Sequence, residues 1–121
     1  MSSLPSDLNL SSRGSRPNRK LASKILTVAN TIVYECPRER STEIVAISLC
    51  NVSGAKVSMR LFHVIPADTA GTSNAIFYDY AIDTHSTTFV DSTLYMSPGD
   101  KLVAYASAAS AITIIVYGIE A

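Results

Sequence analysis

No stretch of this chain holds an apolar stripe at helical spacing over three turns. Apolar and β-branched residues come instead in bursts of about five to ten, each closed by a turn signal. "KILTV" and "TIVYEC" are separated by Ala29-Asn30, and in the second Ile32, Tyr34 and Cys36 are expected on one face. "PRERS" breaks the pattern as a solvent loop. "TEIVAISLCN" is a longer apolar run that reads as a strand covered on both faces. After "VSGA", a turn made permissive by Gly54, "KVSMRLFHV" sets Val57, Met59, Leu61 and His63 against Ser58, Arg60, Phe62 and Val64. "IPADTAGTSN" is a loop, and "AIFYDYAI" a strand with Ile76, Tyr78, Tyr80 and Ile82 on one side.

Beyond "DTHST", the run "TFVDSTLYM" reads as two short strands or one bulged strand. "SPGD" is a β-turn, with Pro98 presetting the first central position and Gly99 tolerating positive φ at the second. "KLVAYAS" and "AITIIVYGIE" then read as a closing hairpin around "AAS". Seven to nine short strands at intervals of about 8–12 residues predict an all-β fold: a single antiparallel β-sandwich, jelly-roll or immunoglobulin-like, with an extended N-terminal arm. The arm is placed at residues 1–22 and the sandwich at 23–121.

The 121 residues suit one domain, and with no Trp and only six Tyr and three Phe its core must rest on Ile, Val, Leu and Ala. The N-terminus has no continuous apolar segment of the secretory kind, and no run approaches the ~18–20 apolar residues that cross a bilayer. A soluble protein made in the cytosol is expected, with no membrane partner. Cys36 and Cys50 are then reduced, buried small hydrophobes.

Charge divides the chain. Residues 1–30 carry Arg13, Arg16, Arg19, Lys20 and Lys24 against Asp7, a net of +4, and residues 31–121 carry five basic and nine acidic residues, a net of −4. A basic arm on a mildly acidic body has three readings. It neutralises phosphates, it orders along an acidic neighbouring subunit, or it only solubilises. Aromatic side chains for stacking on bases are absent before Tyr34, so nucleic acid is not the expected partner. The protein-interaction reading is favoured, with Leu4, Leu8, Leu10 and Leu21 as apolar anchors and Arg13, Arg16, Arg19, Lys20 and Lys24 as the charges.

Chemistry is harder to find. His63 lies within a strand pattern and reads as a packed or edge residue. His85 sits in "DTHS", beside Asp83 and Ser86, but without the strained elbow that exposes a nucleophile. Asp68, Asp79, Asp83, Asp91 and Asp100 match no calcium loop and read as strand ends and turn caps. "NVS" at Asn51 is a sequon-like turn, and no glycine loop for phosphate is present. No catalytic residue, metal ligand or cofactor is assigned, and the protein is expected not to be an enzyme.

The order of features, with "TIVYECP", "EIVAISLCNVSGAKVSMRLF", "FYDYAI", "LYMSPGDKLVAYAS" and "AITIIVYGIE", resembles small β-sandwich structural proteins of tailed-bacteriophage virions over residues 31–120. The resemblance rests on Asn51 to Gly54, Pro98 to Asp100 and Gly118 to Glu120. It implies a non-enzymatic virion protein, foremost a head decoration or cement protein that docks on a protein lattice and ties to neighbours by its arm. Its partners would be capsid, neck or tail subunits and its own copies. The alternative it implies is a neck, baseplate or tail-fibre module, with receptor or carbohydrate binding through tyrosines such as Tyr78, Tyr80 and Tyr95.

Overall fold

The computed structural model describes residues 18–121. Among the described residues nine strands form two antiparallel sheets: β1 (Arg19–Ile25), β2 (Thr31–Glu35), β3 (Thr42–Asn51), β4 (Val57–Val64), β5 (Ala75–Ile82), β6 (Thr87–Val90), β7 (Leu94–Met96), β8 (Lys101–Ala106) and β9 (Ile112–Glu120). The front sheet runs β1-β9-β3-β6, with β7 pairing a second stretch of β3, and the back sheet runs β2-β8-β4-β5. The fold is the expected β-sandwich.

The inner faces meet in one apolar core. Ile112, Ile114 and Val116 of β9 lie with Ile44, Ile47 and Leu49 of β3 on one side, and Met59, Leu61, Leu102, Ala104 and Ala106 on the other. Alternation puts these side chains inward because successive Cβ atoms of a strand point to opposite faces.

The "AAS" linker does not close a hairpin. β8 pairs with β2 and β4, and β9 with β1 and β3, so the chain crosses from one sheet to the other between them. Both strands are central and buried on one face, so they pack face to face across the core instead of edge to edge. Of the sequential strand pairs among the described residues, β4 and β5 alone share a ladder.

Bulges correct three further expectations. Ile32 aligns with Val103 but Tyr34 with Leu102, so Val33 is an extra residue. Ile32 is therefore 44% exposed while Tyr34 is buried. In β3 the register shifts between Ile44 and Ala46, which swaps the inward phase from Thr42 and Ile44 to Ile47, Leu49 and Asn51. Its unbroken apolar run reflects that change of phase together with a partly covered outer face, where Glu43 and Ser48 are buried and Ala46 and Cys50 half-buried. In β5, Asp79 has φ 55 between the pairs Leu61–Phe77 and Met59–Tyr80. Ile76, Phe77 and Ile82 consequently pack toward the core while Tyr78 and Tyr80 are exposed.

The expected boundary at residue 22 falls inside a strand. Residues 19–22, given to the arm from their charges, belong to β1 and pair with β9, and Leu21 and Ala22 pack against the core. An edge strand bearing Arg19, Lys20 and Lys24 keeps a solvated, charged outer side, which discourages edge-to-edge pairing and disguises the strand.

The "SPGD" corner folds as expected. Asp100 N–H donates to Ser97 O at 3.0 Å, and Gly99 adopts φ 86. A Cβ on Gly99 would stand 2.9 Å from Pro66 Cγ. Cys36 N–H donates to Asp100 O, and Gly99 N–H to Cys36 O, so the corner is stitched to the end of β2.

Candidate functional site

Two of the residues singled out for chemistry are explained by local structure. His63 stands at the rim of the back sheet, where Nε2 donates to Asp100 Oδ2 at 2.9 Å. The same oxygen accepts Ser97 N–H at 3.0 Å, so Asp100, buried at 5% exposure, holds the turn closed. His85 has φ 53 in a turn closed by Ser86 N–H to Asp83 O.

The acidic residues disperse. Asp79 accepts Arg60 Nε at 2.7 Å, and Asp83 lies 3.5 Å from Lys56 Nζ. Among the described residues no three His, Cys, Asp or Glu side chains gather to hold a metal ion. Asn51 of the sequon-like turn is fully buried with its amide engaged in hydrogen bonds. Cys36 and Cys50 are free thiols, the first in the core and the second half-buried on the outer front face.

Tyr78, Tyr80 and Tyr95 do not come together, since the first two lie on β5 of the back sheet and the third on β7 of the front sheet. Tyr78 instead supports Arg60, whose guanidinium lies 4.1 Å from its ring centre and 5.0 Å from that of Tyr105.

Of the arm residues, Arg19, Lys20, Leu21 and Lys24 lie on β1. Leu4, Leu8, Leu10, Arg13 and Arg16 lie outside the described residues. Arg19 Nη2 donates to Glu120 Oε1 at 2.8 Å. From there a polar chain enters the sandwich. Tyr34 O–H donates to Glu120 Oε2 at 2.5 Å, and Thr42 Oγ1 lies 2.8 Å from the phenol and 3.2 Å from Cys36 Sγ. Burial, then the hydrogen bond to Glu120, pushes the Tyr34 phenol well above the ordinary tyrosine range.

A group whose pKa is raised on folding contributes stability that is complete below its unfolded value. Folding stability should therefore decline above pH ~10 by about 1.4 kcal/mol per pH unit, as the unfolded tyrosine ionises and the folded one does not. Urea denaturation of Tyr34→Phe between pH 8 and 11 should show a flatter profile than the wild type. Parallel profiles would place the phenol in a solvated setting.

Sequence reasoning missed the front sheet's outer face. Register places Ile115, Tyr117 and Ile119 of β9 there beside Ala46, Ser48 and Glu43 of β3. Phe89 of β6 pairs Ser48, and Tyr95 of β7 pairs Glu43. Phe89 is 62% and Tyr95 71% exposed, the two most exposed large apolar side chains described. A groove of about 370 Å³ opens beside Tyr95, with Thr42, Glu43, Met96, Ile119 and Ala121 among its walls. Reciprocal hydrogen bonds between Ser41 and Ala121 close one end. The alternation in "STLYM" was the available signal, since it sets Tyr95 opposite the buried Met96. The back sheet is different: residues 65–74 fold over its outer face, and Phe62, Val64 and Val103 pack there with Ala70 and Ala75.

No protein-family model matches this chain, and no curated protein matches it. Among solved structures, it is similar to one from Bacillus endospore appendages, described as a novel family of disulfide-linked pili, with TM-score 0.52 and 13% identity over 95% of this chain and 96% of that one. It is also similar to one from the acid-stable capsid of Helicobacter pylori bacteriophage KHP30, with TM-score 0.52 and 15% identity over 88% of this chain and 92% of that one. At such identities the likeness is one of fold, and it spans nearly the whole of each chain.

Proposed function

We propose that this chain is a non-enzymatic structural subunit of a tailed-phage virion, a head decoration or cement protein whose body docks on a protein lattice and whose N-terminal segment ties it to neighbouring subunits. The observation that carries this reading is the outer face of the front sheet, where Phe89 and Tyr95 both stand in solvent and a groove with chiefly apolar walls opens beside Tyr95. Large exposed aromatics grouped on one face mark a surface that another protein covers.

Two further facts support it. With β6 and β7 counted as halves of one interrupted strand, the sheets read 1-8-3-6 and 2-7-4-5, the wrapping of a jelly roll, an architecture used in viral capsids. The fold is also shared with a phage capsid structure and a pilus structure. The N-terminal segment must be cut ahead of Asn18, because removing residues 1–22 would delete half of β1.

Light scattering of the full-length protein beside one lacking residues 1–17 tests the reading. The expected result is a defined oligomer that becomes a monomer without the segment, with an unchanged β-sheet circular dichroism spectrum. Monomers in both samples would remove self-association through the segment.

A further inference from the structure

Resting on the assembly reading above, we propose that the groove beside Tyr95 receives residues 1–17 of a second copy of this chain, with Leu8 and Leu10 as the side chains that fill it. The groove's walls are chiefly apolar, from Tyr95, Met96, Ile119 and Ala121, and it offers about 370 Å³. That is more than twice the volume of a cavity that accepts one benzene ring, about 150 Å³, so two leucine side chains fit. Leu8 and Leu10 are two residues apart, and on an extended backbone such residues point the same way, about 7 Å from one another.

The chain outside the described residues ends in the right place. Arg19 aligns with Gly118 and is tied to Glu120, so the N-terminal segment leaves the body at the end of β9 that carries Ile119 and Ala121 into the groove. Across the front sheet from β1 to β7 is three strand spacings, about 14 Å. The extended chain from Arg19 back to Leu8 spans about 36 Å. A contact with its own groove would therefore leave some 20 Å of chain looped out, whereas a neighbour beyond that end of the sheet is met at full extension. Such an exchange closes as a two-fold dimer where two copies trade segments, and forms a ring or a filament where each copy passes its segment to the next.

The test uses full-length protein with a photoreactive benzoylphenylalanine in place of Tyr95, prepared in ordinary and ¹⁵N-labelled form, mixed and irradiated. Mass spectrometry should find position 95 joined to the peptide holding Leu8 and Leu10, in mixed-isotope pairs. In parallel, Leu8→Asp with Leu10→Asp should weaken self-association of the full-length chain about 30-fold. Same-isotope pairs alone, capture of another segment, or no capture would each overturn the proposal. If the oligomer persists while position 95 captures something else, the groove is wrong and the assembly reading stands. A full-length chain that is monomeric at every concentration overturns the proposal and removes self-association from the assembly reading.

Discussion

Gly118→Ala should lower the melting temperature by roughly 10–20 °C, the largest effect expected of any single-methyl substitution in this protein, on the scale of 4–8 °C per kcal/mol for a domain of this size. An added Cβ would stand close enough to the Glu43 carbonyl oxygen to overlap it, and 3.1 Å from both Ile44 Cα and Leu21 Cδ1. Two of those three neighbours are backbone, which cannot rotate away. The crowding has a structural cause. β9 is flanked on both sides by bulged strands, with Leu21 the extra residue in β1, opposite Val116 and Tyr117, and Val45 the extra residue in β3, opposite Tyr117 and Gly118.

The glycine is required by close approach and not by an unusual φ, so any side chain there must push β3 or β1 aside. Overpacking of this kind costs about 1–3 kcal/mol and more where backbone must move. Gly71→Ala is the control: its φ of −172 is ordinary extended backbone and a Cβ there meets nothing within 4 Å. Differential scanning calorimetry of the pair checks the expectation. If Gly118→Ala melts with the wild type, the two flanking bulges do not clamp β9.

Those bulges also mark where the sequence stops being legible. Strand existence was plain, and "TEIVAISLCN" and "AIFYDYAI" became β3 and β5 residue for residue, because β-branched runs bounded by Gly, Pro and Asn leave few other choices. Facing was not plain. A bulge inserts one residue and reverses the inward phase without changing residue types, so Val33 and the stretch around Asp79 each broke a period-2 reading, and Val45 gave β3 two inward phases within one unbroken apolar run.

Pairing was hidden for a different reason. "KLVAYAS" and "AITIIVYGIE" look like hairpin partners because they are neighbours in sequence and both amphipathic, but both properties hold equally for strands facing each other across a core. In β1 the charges of "RKLASK" concealed an edge strand whose buried contribution is little more than Leu21 and Ala22. Of the candidate surface, the leucines and arginines of the N-terminal segment were visible in the sequence. The groove was not, since Tyr95, Ile119 and Ala121 meet only through the pairing of β7 and β9 with β3.

Asn51→Ala is expected to destabilise the fold by about 3 kcal/mol, and Asn51→Asp by at least as much despite its matching shape. Asn51 is fully buried at the end of β3 and uses every hydrogen-bonding capacity of its amide. Nδ2 donates to Ala55 O at 2.8 Å and to Ile82 O at 3.0 Å, while Oδ1 accepts Ser53 N–H at 2.9 Å and Ser53 Oγ–H at 2.7 Å. One side chain thus shapes the turn from β3 to β4 and pins the last residue of β5, in the opposite sheet, to the end of β3. Alanine would take the amide donor from the Ile82 carbonyl oxygen and the acceptor from Ser53 N–H, each a loss of about 1–3 kcal/mol where water cannot replace the partner, while Ala55 O keeps Ser53 Oγ at 3.0 Å.

Aspartate keeps the Ser53 contacts but turns a carboxylate toward the carbonyl oxygens of Ala55 and Ile82. Neutral aspartic acid could donate to only one of them. Its pKa would be raised by that burial, so stability should be greatest below the unfolded value of about 3.9 and fall as pH rises. Urea denaturation at pH 4 and pH 7 separates the two variants. Asn51→Asp should recover part of its deficit at pH 4 relative to Asn51→Ala, and equal deficits at both values would mean that the two carbonyls are reached by solvent and the link between the sheets is not made through this amide.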